Sequence, residues 1–173
     1  MRRFYICIIL LFCCSAIAFD SYCQSFDYSE NSVYIFNFIR YTSWPNNQNT
    51  IKIGIVGITP VEGALKDLIS KKTNSNSTYT VRRITMAEVR DVDVVVIAQS
   101  ATAKVKAIAD LTAGAPILII TEKENMGRMG ACISFFFDED NDFKTGYQLS
   151  LRNCKLRGLS VNEQILNNAE LIW

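Results

Sequence analysis

Histidine is missing from all 173 residues. Its absence excludes Ser-His-Asp triads, Cys-His nucleophile pairs and imidazole-based metal sites. Phosphate-cradling glycine patterns are missing as well. Gly54-Ile55-Val56-Gly57 follows a strand-like run, but it lacks the G-x-G-x-x-G spacing of a dinucleotide site and reads as a tight turn; no P-loop occurs. Charge of one sign is scarce too. With 18 basic and 17 acidic side chains the formal net charge is +1, so there is no basic excess to hold nucleic acid or an anionic membrane surface. The acidic turn Asp138-Glu139-Asp140-Asn141-Asp142 resembles a calcium loop in composition only, because the glycine and distal glutamate of an EF-hand are absent. No metal or cofactor is expected, and nothing here points to an enzyme. No internal repeat or long linker divides the chain, and beyond its first residues no apolar run approaches bilayer length.

Those first residues pose a different physical problem. Arg2-Arg3 precedes an almost unbroken apolar run from Phe4 to Phe19. Small residues then follow at Ala16-Ile17-Ala18, with Ser21-Tyr22-Cys23 before Gln24 as a second cleavage candidate. This pattern is that of a secretory signal peptide over residues 1–23, cut after Ala18 or after Cys23. An uncut anchor and a lipoprotein cut at Cys23 are the alternatives. Export places the mature chain in the periplasm, and about 150 residues suit one domain with a sizeable core.

Cysteine usage fits export. Cys7, Cys13 and Cys14 leave with the signal peptide. Cleavage after Cys23 would leave only Cys132 and Cys154, an even pair in an oxidising compartment. Cleavage after Ala18 would retain Cys23 as a spare thiol.

The run Val33-Tyr34-Ile35-Phe36-Asn37-Phe38-Ile39-Arg40-Tyr41-Thr42-Ser43-Trp44-Pro45 is apolar on nearly every helical face, where a surface helix carries one stripe. Ser29 to Ser32 offer N-cap residues, and Pro45 stops the helix at Trp44. Such a helix buries two sides, one in its own core and one against something else, unless its own domain wraps it wholly.

Alternation of element types defines the fold class. Ile51 to Val56 reads as a strand. Thr59-Pro60 opens a helix with Val61, Ala64, Leu65, Leu68 and Ile69 on one stripe, closed by Lys71-Lys72. Asn74 to Ser77 is a loop, and Tyr79 to Ile84 a strand with one wet face. Val92 to Ala98 and Pro116 to Ile120 are continuous apolar runs typical of strands covered on both faces. Between them, Ala101 to Thr112 is a helix presenting Val105, Ile108, Ala109 and Leu111, ended by Gly114. Ala131 to Phe137 and Phe143 to Ser150 flank the acidic turn as a hairpin. Leu151 to Arg157 is a short amphipathic segment stopped by Gly158, and Ile165, Leu166, Ala169 and Ile172 mark a last helix. The expectation is an α/β fold: a mixed, largely parallel sheet with flanking helices, Rossmann-like in three layers, plus a C-terminal antiparallel hairpin and terminal helices.

Two features could carry chemistry. Cys132 lies on the first hairpin strand and Cys154 one turn into the segment after the second, so the hairpin brings them toward disulfide distance. Closing a loop of about 20 residues would contribute roughly 3 kcal/mol in the chain-entropy model, as a structural staple or as a redox-sensitive switch. The second feature is the loop Glu122 to Gly130, following the carboxyl end of a buried strand. There Gly127, Arg128 and Gly130 could present amides and a guanidinium to an anion or acidic partner.

Together, the Trp44-Pro45 helix end, the strands Ile51 to Gly57 and Asp93 to Ile97, Ala115 to Thr121, the loop before Ala131-Cys132-Ile133-Ser134-Phe135, and Leu156-Arg157-Gly158-Leu159-Ser160 with Ile165-Leu166 resemble the YfiR-like periplasmic proteins, from about Val33 to Ile172. The sequence departs from that pattern at Met129-Gly130, where the family has a glycine pair, and at Tyr147-Gln148-Leu149-Ser150. The resemblance implies regulation: a dimeric periplasmic repressor that binds a membrane-bound sensor such as a diguanylate cyclase or kinase, is sequestered by an outer-membrane lipoprotein, and depends on disulfide integrity. It offers an owner for the helix's second surface, with Tyr34, Phe38, Tyr41 and Trp44 expected at a dimer or partner interface and Val33, Phe36 and Ile39 in the core. A small-ligand-binding module using the Gly127–Gly130 loop, feeding a sensor or transporter, is the alternative.

Overall fold

The computed structural model describes residues 28–46, 49–72, 77–138, 144–167 and 169–172. The signal peptide, the Asn74–Asn76 loop and the tip of the acidic turn lie outside the described residues.

Seven strands form the main sheet, and their chemistry sorts them by depth. The central strands β4 (Val94–Ile97) and β5 (Leu118–Thr121) are buried at every position, as unbroken Val/Ile/Leu runs require when both faces are covered. β2 (Thr50–Val56) and β6 (Ile133–Asp138) flank them. β3 (Thr78–Arg83), mostly exposed and carrying Arg82-Arg83, forms one edge. β7 (Lys144–Leu149) and the two-residue β9 (Glu170–Leu171) complete the other. The order is β3-β2-β4-β5-β6-β7-β9. Neighbours from β3 through β6 are parallel. β6 and β7 form the antiparallel hairpin, with Ile133 opposite Leu149 and Phe135 opposite Tyr147. β9 runs parallel to β7.

Two apolar layers sandwich this sheet. On one face α1 (Tyr28–Arg40) and α2 (Val61–Lys71) cover Ile53, Ile55, Val94, Val96, Leu118, Ile120 and Phe135. On the other, the 3-10 turn Gln99–Lys104 and α3 (Val105–Leu111) cover Val56, Val95, Ile97, Ile117 and Ile119. The result is a three-layer mixed α/β fold. α4 (Leu151–Leu156) follows β7 and starts on a Ser150 cap. It lies at the end where the parallel strands begin, because Ser150 N–H donates to the Cys132 carbonyl just ahead of β6 at 2.8 Å.

A second, two-stranded sheet was not anticipated. β1 (Thr42–Ser43) pairs antiparallel with β8 (Ser160–Val161), and Asn162 N–H adds a bond to the Tyr41 carbonyl at 2.9 Å. This clasp corrects the reading of the first helix. α1 ends at Arg40, before Pro45 can act, because pairing with β8 draws Thr42 and Ser43 into extended geometry. It also begins earlier than expected. Ser29 to Ser32 lie inside it, Ser32 Oγ bonds back to the Ser29 carbonyl, and Asn31 Oδ1 accepts from the Thr145 hydroxyl.

The C-terminal helix is likewise shorter than its periodicity suggests. α5 spans Glu163–Leu166 only; the chain then extends, and Ile172 N–H bonds the Leu149 carbonyl as β9 joins the sheet edge. Edge pairing outweighs helical spacing there. The helix expected from Ala101 to Thr112 starts as 3-10 and becomes α-helical only at Val105, leaving Leu111 exposed rather than buried. Among the described residues no helix is long and apolar enough to cross a membrane.

Candidate functional site

At the end of the sheet where the parallel strands begin, Cys132 and Cys154 meet. Cys132 directly precedes β6, and Cys154 projects from α4 into the same core. Both are buried and both are free thiols. Their side chains are hydrogen-bonded to each other. That bond, aided by the nearby Arg157 guanidinium, holds the Cys132 thiol below its ordinary range against the opposing effect of burial. The Cys154 thiol is pushed up, by the same bond and by burial. Arg157 is itself buried. It donates to the Thr112 carbonyl at 3.1 Å, the Thr112 hydroxyl at 3.0 Å and the Ala109 carbonyl at 3.3 Å. The guanidinium thereby adds a charged donor to carbonyls at the end of α3.

The aromatic residues of α1 divide. Phe36 and Ile39 are core residues, as expected. Phe38 is only 1% exposed, with its ring 4.7 Å from that of Tyr147 and 5.7 Å from that of Phe135. It is therefore internal, which corrects its assignment to an interface: the hairpin β6–β7, folded under α1, claims that face. Val33, expected in the core, is 45% exposed. Tyr34, Tyr41 and Trp44 are half-buried, packed against the core on one side and open on the other. Tyr34 lies on α1 with the exposed Val33 and half-buried Asn37, while Tyr41 and Trp44 follow its end on either side of β1. The Arg40 guanidinium stands 5.7 Å from the Tyr41 ring.

The Gly127–Gly130 loop is not where the strand pattern placed it. Only its first residue, Glu122, stays at the carboxyl end of β5; the chain then runs back to the start of β6. Asn153 of α4 donates to the carbonyls of Gly127 and Ala131, both at 2.7 Å. Gly130 adopts φ +101°, and a Cβ there would lie 2.4 Å from that of Ala109. Its glycine thus serves close packing against α3. Arg128 is exposed beside a cleft of about 350 Å³ that also touches Lys106, Asp110 and Arg157.

The sequence reading missed a second cleft, of about 540 Å³, at the opposite end of the sheet. It opens where β2, β4 and β5 finish, between Thr59, Gln99, Ser100 and Glu122, and is walled by Tyr28, Asn31, Ile58 and Phe135. Glu122 accepts from the Thr59 hydroxyl at 2.7 Å and from Gln99 N–H at 3.2 Å. Thr59 in turn caps α2 by accepting from Val61 N–H at 3.2 Å. Gly57, at φ +100°, lets the chain turn tightly here, since a Cβ would come within 2.9 Å of Ala98 and Ala101. Burial raises the Glu122 carboxyl above its ordinary value. The signal for this cleft was Gly57 to Pro60 after one strand and Ala98 to Ser100 after another. Only strand order reveals that the two are adjacent.

The fold is that of an open α/β sheet protein, and comparison narrows the class. The YfiR/HmsC-like family model (DUF4154) matches residues 28–170, so the chain belongs to this family. Its YfiR-like members are periplasmic regulators of cyclic di-GMP signalling rather than enzymes. A solved structure of a conserved domain protein from Vibrio cholerae O1 biovar El Tor is similar at 13% identity with a TM-score of 0.52. The match covers 83% of this chain and 59% of that one, and it supports the fold. No curated protein sequence matches the chain.

Proposed function

We propose that this protein is an exported regulator that represses a membrane-bound sensor, such as a diguanylate cyclase or kinase, by binding its periplasmic part. The observation that carries this reading is the family match across nearly all described residues. A neutral, histidine-free chain fits binding better than catalysis. The half-buried rings of Tyr34, Tyr41 and Trp44, extended by Val33, supply a contact face. Aromatic side chains that keep one wet flank are the anchors interfaces favour. This face serves a homodimer or the sensor, and an outer-membrane lipoprotein that competes for it would release repression. The thiol pair Cys132–Cys154 closes to a disulfide in the oxidising periplasm and fixes α4 against β6.

The test is genetic and direct. Deleting the gene should raise cellular cyclic di-GMP and surface attachment. A Tyr41→Glu chain should still fold cooperatively, yet fail to complement the deletion or capture the sensor. Unchanged cyclic di-GMP on deletion, with no membrane sensor recovered in pull-downs, would overturn the reading.

A further inference from the structure

Strand order singles out one crevice. From β2 the chain moves outward to β3, but from β4 it moves the other way to β5. α2 and α3 consequently cover opposite faces, and the carboxyl ends of β2 and β4 form a topological switch point, where open α/β sheets bind ligands. The 540 Å³ cleft lies there, within the usual size range of small-molecule sites.

Its lining states what it would accept. Two of its hydroxyls are already engaged: that of Ser100 with the amide and carbonyl of Ile58, and that of Thr59 with Val61 and Glu122. A sugar would find neither of them open. The Glu122 carboxylate, with two bonds received, retains acceptor capacity. Among the described residues no lysine or arginine forms an ion pair with it. A phosphate or carboxylate ligand would be repelled. Beside the amide of Asn31, the walls offer apolar surface from Phe135, Tyr28 and Ile58, the last 76% exposed.

We propose that this cleft binds a small organic cation, with its ammonium or amidinium head on Glu122 and its apolar body along Phe135, Tyr28 and Ile58. Charge pairing in a half-dried site strengthens the contact, and aromatic walls favour a cation over a neutral ligand of the same shape. The site is separate from the aromatic contact face and stands or falls independently of the partner reading.

The experiment uses the mature chain with benzylammonium and benzamidinium as probes, benzyl alcohol as the neutral counterpart and benzoate as the anion. Binding is followed by calorimetry and by amide shifts at Thr59, Gln99 and Glu122. The cations should bind at least tenfold tighter than benzyl alcohol, and benzoate not at all. Glu122→Gln keeps the shape and one of the two acceptor oxygens, and should abolish the cation preference while leaving benzyl alcohol binding unchanged. Ile58→Arg, at an exposed rim position that leaves the core untouched, places a tethered guanidinium before Glu122 and should block the amines. The proposal is overturned if neither cation shifts those amides, if the alcohol binds as well as the amine, or if both variants bind benzylammonium like the parent.

Discussion

The ring of Phe38 meets the ring of Tyr147 edge-on, with centroids 4.7 Å apart and planes at 67°. The Tyr147 hydroxyl continues past this contact to donate to the Ile165 carbonyl at 2.7 Å. One pair therefore ties α1, β7 and α5 into a single core. Phe38→Ala should destabilise the fold by about 3–5 kcal/mol, as expected for a large aromatic truncated in a packed interior. Tyr147→Phe should cost about 1 kcal/mol by leaving the Ile165 carbonyl unpaired. Urea melts of both variants check this. A Phe38→Ala chain of parental stability that is monomeric where the parent is dimeric would restore Phe38 to an interface.

Thiol chemistry gives a second expectation. Protein recovered from an oxidising compartment should carry Cys132 and Cys154 bridged, two hydrogens lighter by mass than after reduction. Reduction should lower stability by about 2–4 kcal/mol. Equal and complete labelling of both thiols in unreduced native-source protein would exclude the bridge.

Arg157 should behave as a structural cation rather than a binding one. Its three acceptors all belong to the end of α3, and truncation removes three buried hydrogen bonds to a charged donor. Arg157→Ala should cost about 2–3 kcal/mol. Lysine should restore little of this, since a point charge cannot match the fork of donors. Thermal melts, together with hydrogen exchange of the α3 amides, report the loss.

Acid should release Glu88. Its carboxylate closes a capping box with Thr85, accepting from the Thr85 amide at 2.8 Å and hydroxyl at 2.9 Å, and pairs with Arg82. These bonds, the backbone one first, lower its pKa from 4.5 to about 2. The folded value is depressed, so the stabilisation is complete above about pH 4.5 and fades as pH falls toward 2. An NMR titration of the Glu88 carboxyl should show this, and Thr85→Ala should move the midpoint upward. A midpoint near 4.5 in the parent chain would contradict the capping box.

Periodicity carried most of the architecture. Val94 to Ile97 and Leu118 to Ile120 are unbroken apolar runs because parallel strands covered on both faces need nothing polar, and the stripe starting at Val61 marks its buried helix face equally well. What escaped depends on contacts distant in sequence. Thr42-Ser43 is too short to register as a strand, and its pairing with Ser160-Val161 exists only once the domain closes. Ile165, Leu166, Ala169 and Ile172 keep helical spacing, yet an open edge at β7 recruits Glu170-Leu171 instead. Phe38 and Val33 exchange places because a run apolar on nearly every face gives little sign of which side its own hairpin will claim. Cys132 and Cys154 were brought together correctly, since a hairpin is local. Glu122 and Thr59, 63 positions apart, were not, because strand order is not written in strand composition.

The docking of α1 also has a consequence in time. Its most buried ring waits for Phe135 and Tyr147, about a hundred residues further along the chain. At ordinary synthesis rates of about 5–20 residues per second, that is an interval of roughly 5–20 seconds. Throughout it, Ile35, Phe36, Phe38 and Ile39 have no hairpin to cover them, and the β1–β8 clasp cannot form until later still. The segment with the greatest need of a core is thus among the first made and the last housed. A chain arranged this way depends on protection during its own biogenesis, and slowing the arrival of the hairpin should convert yield into aggregate without altering the stability of the molecules that do fold.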